Sequence, residues 1–166
     1  PMIQNSIVSK NRYRGINIKG LNTTPIVKNN QVTSNSKTGI YIGNGAKPTV
    51  IENTCSANLY CGIEVQDPNT NPIIANNKCL QNINSSGIYI YNRANPTVLD
   101  NICTRNEKNG ISIGGRGTSP QILSNTCSRN NDSGILVYEA ASPTLDANVC
   151  LKNAKIGIGF TTDCIE

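Results

Sequence analysis

The chain has 166 residues, of which 37% are hydrophobic and 15% charged, with one Phe, six Tyr and no Trp. That length suffices for one domain, but the scarcity of large apolar groups argues against a thick globular core and suits a thin one of Val, Ile and Cys. The net charge of +5 comes from scattered Lys and Arg, with no basic run or RNA-binding motif, so nucleic acid is not expected as a partner; no apolar stretch is long enough to span a membrane, and no signal peptide is present.

Prolines divide the chain. They fall at Pro1, Pro25, Pro48, Pro72, Pro96, Pro120 and Pro143, at intervals of 24, 23, 24, 24, 24 and 23 residues. Only Pro68 lies outside the series. A period in this range is the mark of a solenoid. The first repeat reads Pro1, Ile3, Ser6, Val8, Asn11, Gly15-Ile16-Asn17-Ile18. The second places Val27, Asn30, Val32, Asn35 and Gly39 at the same offsets. The third has Val50, Asn53, Cys55, Asn58 and Gly62, and the fourth Ile74, Asn77, Cys79, Asn82 and Gly87. Gly87 comes one residue late, so the fourth repeat carries an insertion in that turn. The fifth repeat is Val98, Asn101, Cys103, Asn106, Gly110; the sixth is Ile122, Asn125, Cys127, Asn130, Gly134; the seventh is Leu145, Asn148, Cys150, Asn153, Gly157.

Within each repeat, apolar positions alternate with period two over three to five residues and then stop at Asn or Gly. No segment shows helical spacing over ten residues. Each repeat therefore reads as three short strands, around the proline, around Asn-x-Cys and around Gly-Ile-x-Ile. One such rung cannot bury its own apolar residues, whereas stacked rungs can. The prediction is an all-β parallel solenoid of seven coils, 23–24 residues and three strands per coil, forming a single domain over residues 1–166. At a strand spacing of ~4.8 Å the rod is roughly 34 Å long. A leucine-rich repeat is excluded because there is no leucine frame. A left-handed hexapeptide helix is excluded because the period does not divide into aliphatic-led hexapeptides.

Equivalent residues become ladders. The asparagines are expected at the turns, in left-handed backbone, each amide donating to the next coil and accepting from the previous one. Asn11, Asn35, Asn58, Asn82, Asn106, Asn130 and Asn153 form the complete column. Cys55, Cys79, Cys103, Cys127 and Cys150 share the slot of Val8 and Val32, which marks them as core fillers. Cys164 falls in the small-residue column of Ala46, Ala94 and Ala141, and Cys61 stands apart in a turn. No His and no CxxC is present, so no metal or other cofactor is expected. Disulfides between adjacent rungs are awkward at that strand spacing. Seven free cysteines favour a cytoplasmic origin.

Function is expected on outward positions. Tyr41, Glu64 and Tyr89 occupy the middle of the Gly-Ile-x-Ile strand, and Tyr91 and Tyr138 follow it; Arg93, Arg116 and Glu139 sit in the adjoining loop. Tyrosines flanked by carboxylate and guanidinium suit stacking on sugar rings and hydrogen bonding to their hydroxyls. For hydrolysis the candidate acids are Glu52, Glu64, Asp67, Asp100, Glu139 and Asp146, which are dispersed. Both terminal coils expose strand edges, so the chain reads as a segment of a longer solenoid or as one that associates end to end.

The pattern N-x-C-x-x-N-x-x-x-G-I-x-I resembles the right-handed parallel β-helix repeats of the pectin-lyase-like superfamily. Its likeness is greatest to the repeats of carbohydrate-binding and sugar-hydrolase domains and of NosD-type periplasmic proteins. The resemblance covers the whole chain. It implies a right-handed coil and allows a periplasmic or secreted location. It leaves function open, because the superfamily includes lyases, hydrolases, epimerases and non-catalytic domains. The paired Asp and catalytic His expected of its polygalacturonase-like hydrolases are absent. The reading is a non-catalytic scaffold presenting a regular surface to a carbohydrate or to another protein. The alternatives are a carbohydrate-active enzyme, of lyase or hydrolase type, whose active site lies partly outside this segment, and a structural stalk.

Overall fold

A computed structural model describes residues 1–162. Its strands fall into three seven-stranded sheets, and within each sheet every strand pairs in parallel with its equivalent one coil away. The first sheet begins with Met2–Gln4, the second with Ile7–Ser9 and the third with Ile16–Lys19. The registers repeat the sequence columns: Ile3 lies beside Val27, Cys79 beside Cys103, and Tyr89 beside Ser112. The chain is thus the expected parallel β-helix of seven coils.

Strands of three or four residues place one or two side chains inward each, so the core is narrow. Ile, Val and Cys fill it, and Val27, Val32, Cys55, Cys79, Cys103 and Cys127 have no exposed surface. The five-cysteine column is in register from Cys55 to Cys150. All its thiols are free, as is that of Cys61. Cys164 lies outside the described residues. The thiols of Cys55 and Cys79 are pushed well up, first by sharing a hydrogen bond with the cysteine of the next coil and also by burial. Burial raises Cys61 to about 12.

The asparagine ladders hold the corners. Asn53 illustrates them. Its amide nitrogen donates to Asn77 Oδ1 at 3.0 Å, and its backbone N–H donates to the same oxygen at 2.9 Å. Its second amide hydrogen turns inward, to the Val27 and Ile51 carbonyls. Asn58 repeats this arrangement with Asn82 and the Val32 carbonyl. The ladder amides therefore cap strand carbonyls as well as one another. Among the described residues no buried side-chain polar atom lacks a partner.

One expectation is corrected. The ladder asparagines are not themselves left-handed; the residue before each one is. Asn5, Lys10, Asn29, Ser34, Glu52, Ala57, Asn76, Gln81, Asp100, Arg105, Ser124, Arg129, Ala147 and Lys152 all have φ between 52° and 58°. Their side chains have nothing in common. Thirteen of the fourteen precede a ladder asparagine, whose amide binds the next coil, but Asn5 adopts the same angle before Ser6, so the sharp corner belongs to the coil geometry. The glycine column answers to space instead: a Cβ at Gly110 would lie 2.6 Å from the Gly134 carbonyl and 2.8 Å from Cys127 Sγ.

Three outcomes follow for stability and thiol protection. Arg105 is exposed and left-handed, so Arg105→Gly removes the side-chain cost of ~1–2 kcal/mol, offset in part by the freer unfolded chain. Thermal unfolding of this variant is expected to show about 0.5–1 kcal/mol of added stability. In a Cys164→Ser background, Ellman's reagent at pH 8 is expected to modify half-exposed Cys150 first and the five buried thiols only at the rate of unfolding. Because Cys55, Cys61 and Cys79 titrate above the ordinary value of 9.0 in the folded state, their contribution to stability is full below that pH and falls as pH rises beyond it. Denaturant midpoints measured from pH 7 to pH 10 check the sign.

Candidate functional site

The third sheet carries the tyrosines. Its strands are Ile16–Lys19, Ile40–Gly43, Ile63–Val65, Ile88–Ile90, Ile111–Gly114, Ile135–Tyr138 and Ile158–Phe160. From Ile16 to Val137 the first and third residues of each strand turn inward and are buried, which sends the middle residue to the outer surface, while Ile158 and Phe160 of the last coil are exposed. Along the axis this outer row reads Asn17, Tyr41, Glu64, Tyr89, Ser112, Leu136 and Gly159.

The tyrosines lie flat on this face instead of projecting from it. Tyr41 is only 1% exposed, because Arg14 of the preceding coil covers its ring at 3.6 Å and Lys19 approaches to 4.9 Å. Its expected role as an open stacking surface is therefore already taken up by a guanidinium. Tyr89 and Tyr91 stack on each other, with centroids 4.6 Å apart and planes at 21°. Tyr138 reaches across the fifth coil and donates to the Tyr89 hydroxyl at 2.7 Å. It crosses above Gly114, where any Cβ would overlap its ring.

Behind Tyr91 stands Glu64. It accepts from Tyr91 at 3.0 Å and from Thr38 Oγ1 at 2.6 Å. Tyr91 also contacts Gln66. Burial raises the pKa of Tyr91, and the Glu64 charge adds to it; burial likewise raises Tyr89. For Tyr41 burial is again the first cause, with Asp67 second. The phenols thus remain protonated at neutral pH and serve as hydrogen-bonding groups, not as proton-abstracting phenolates.

Six of the eight sequence-predicted residues, Tyr89, Tyr91, Arg93, Arg116, Tyr138 and Glu139, line one open groove of about 550 Å³. Glu64 and Tyr41 lie outside its lining, the first behind Tyr91 and the second two coils away. The loop half of the groove is held by paired left-handed residues, Asn92–Arg93 and Glu139–Ala140. Buried Thr118 accepts from the Arg93 N–H at 2.9 Å, and Thr70 does the same for Gly45 at 2.8 Å. The threonines were legible in the sequence, since the column two residues before each proline alternates Thr23, Ala46, Thr70, Ala94, Thr118, Ala141.

The candidate acids separate by place. Asp67 is committed to the Asn44 N–H at 3.0 Å and the Asn92 amide at 2.9 Å. Glu52 pairs with Lys28 at 3.6 Å, and Asp100 and Asp146 belong to the first-sheet side of the coil. Glu139 is the carboxylate of the groove. Among the described residues no three His, Cys, Asp or Glu side chains converge as a metal site.

Comparison with known proteins agrees with the architecture. A family model described as "Right handed beta helix region" matches residues 1–127 and 80–165. No curated protein sequence matches significantly. Among solved structures, the A-module of the Azotobacter vinelandii mannuronan C-5 epimerase AlgE4 is similar, with a TM-score of 0.73 at 15% identity. The match covers 98% of this chain and 57% of that one, so the chain spans little more than half of the module. At this identity the likeness is one of fold.

Gly114 gives the geometry a direct check. Gly114→Val should lift Tyr138 from the sheet and break its contact with Tyr89. The expected result is a changed near-ultraviolet tyrosine signal with an unchanged far-ultraviolet β spectrum. An unchanged near-ultraviolet spectrum refutes the placement of Tyr138.

Proposed function

Because this chain belongs to the right-handed β-helix family, we propose that it is a non-catalytic scaffold whose third sheet holds a carbohydrate chain. The observation that carries this reading is the single groove combining the Tyr89–Tyr91 stack with Arg93, Arg116 and Glu139. Aromatic rings offer an apolar platform to the C–H face of a sugar, and their hydroxyls take part in hydrogen bonds. The guanidiniums donate and the carboxylate accepts, which matches the mixed character of sugar hydroxyls. The volume of about 550 Å³ is in the range of small-molecule sites. The similar module belongs to an enzyme named for mannuronan, which is compatible with a glycan ligand.

Two features favour binding over turnover. Hydrolysis by the common routes uses two carboxylates facing one bond, and the groove lining has Glu139 alone. A tyrosine base needs a lowered pKa, and burial moves Tyr89 and Tyr91 the other way. The second reading, an enzyme completed by residues beyond this segment, is favoured by the partial coverage of the epimerase module.

A glycan array followed by calorimetry tests the proposal. Wild type should retain at least one oligosaccharide class. Tyr91→Ala and the Arg93→Ala/Arg116→Ala pair should each weaken it by about tenfold, or ~1.4 kcal/mol. Product analysis after prolonged incubation should show the glycan unchanged. Absence of any retained glycan, or wild-type affinity in Tyr91→Ala, overturns the binding reading. Altered glycan favours the enzyme.

A further inference from the structure

Beyond the Tyr89–Tyr138 hydroxyl contact lies a second, smaller recess of about 80 Å³. Its walls include these two tyrosines with Ser86, Lys108, Asn109 and Ser112. It sits where the repeat breaks register. The extra residue before Gly87 enlarges the corner of the fourth coil, and Ser85 and Ser86 occupy that corner. Ser85 is turned back to the Cys61 thiol at 3.0 Å, while Ser86 faces Ser112.

The hydrogen bonds of this recess leave donors over. Ser86 and Ser112 share one hydroxyl–hydroxyl bond of 2.7 Å. Two hydroxyls joined by a single bond use one hydrogen and keep the other. The further bonds they receive come from Asn109, through its backbone N–H at 3.3 Å and its amide at 2.9 Å, and these occupy acceptor sites. Asn109 retains a second amide hydrogen. Tyr138 donates to Tyr89, so the Tyr89 hydroxyl keeps its own hydrogen. Lys108 is half-buried at the recess, and the ion pairs of the described residues, Lys28–Glu52 and Lys155–Asp132, lie elsewhere. No carboxylate is in the lining. The recess is therefore rich in donors, poor in free acceptors and singly positive.

We infer that this recess is a binding site for a small oxyanion group, with Lys108 as the counter-charge and Asn109 and the Ser86–Ser112 pair as neutral donors. The space equals about two or three waters at ~30 Å³ each. That admits a group the size of a sulfate or carboxylate and excludes a sugar ring. The oxyanion has two sources, a free inorganic ion or a charged substituent of a glycan lying in the neighbouring groove. Only the second source rests on the function proposed above.

Intrinsic fluorescence provides the test, because the chain has no Trp and two tyrosines form the recess wall. Wild type, Lys108→Met and Lys108→Arg are titrated with sodium sulfate and with sodium acetate, at ionic strength held constant with sodium chloride. Wild type should give a saturable change with at least one salt. Lys108→Met should need about tenfold more anion, as expected for loss of one charge-assisted hydrogen bond, and Lys108→Arg should restore part of the response. Circular dichroism confirms that the variants are folded, and Lys108→Gln replaces Lys108→Met if the latter is not. No saturable response in wild type, or equal responses in wild type and Lys108→Met, overturns the inference. Comparing sulfated with unsulfated oligosaccharide separates the sources: tighter binding of the sulfated chain than of free sulfate, lost in Lys108→Met, assigns the site to a glycan substituent, and equal binding assigns it to the free ion. The Arg93→Ala/Arg116→Ala pair should keep its sulfate response. If no glycan binds and that response persists, the groove reading fails and the anion site stands.

Discussion

Everything in this molecule depends on stacking identical peptide units along one axis. A strand of three residues has too few hydrogen bonds and too little apolar surface to stand alone. Seven in-register copies give each interior strand two partners and close the narrow core. The asparagine ladders make the register exact at the corners, where strand pairing ends. A slip of one coil residue would leave a buried amide and a strand carbonyl unpaired together, at a cost of about 1–3 kcal/mol per group. Each corner therefore penalises misregister independently, and the penalties accumulate along the rod.

This dependence explains what the sequence reveals. The asparagine columns were legible because their chemistry is needed in every coil: one amide must satisfy a neighbour above, a neighbour below and a carbonyl within. The cysteine column was legible because Val8 and Val32 share its slot. The left-handed residues were not. Their backbone geometry is set by the corner between two consecutive strands, so Glu52, Ala57 and Arg105 adopt it without sharing a side-chain property. A sequence column records side-chain demand, and this demand is on the backbone alone.

The candidate site was legible only as a set of positions. Alternation within Ile-x-Ile places Tyr41 and Tyr89 on the outside, and the structure agrees on the side of the sheet they occupy. It does not make them equally available. Arg14 lies one coil earlier and covers Tyr41, whereas the residue above Tyr91 is Gly114, which leaves room for Tyr138. These outcomes depend on pairs of residues about 24 positions apart whose rotamers no single-strand pattern specifies. The groove owes its location to such pairs: coils four to six combine an insertion, a glycine and three tyrosines, whereas the one tyrosine elsewhere in the outer row, Tyr41, is covered by Arg14.

Rigidity then shapes what the groove can do. The backbone below it is fixed by parallel strand pairing and by asparagine ladders at two of the three corners, and its tyrosines are fixed by each other, by Glu64 and by Gln66. These tyrosines have already lost their rotamer freedom, so under the binding proposal association would avoid about 0.5–1.5 kcal/mol for each one it would otherwise order. The same fixation works against chemistry that needs a group to move or to change charge. Tyr91 is held as a neutral phenol by burial and by the carboxylate it donates to. Deprotonating it would place a phenolate beside Glu64 and break the bond that orients the stack. A surface stabilised in this way favours recognition of a shape already present over the making of a new one.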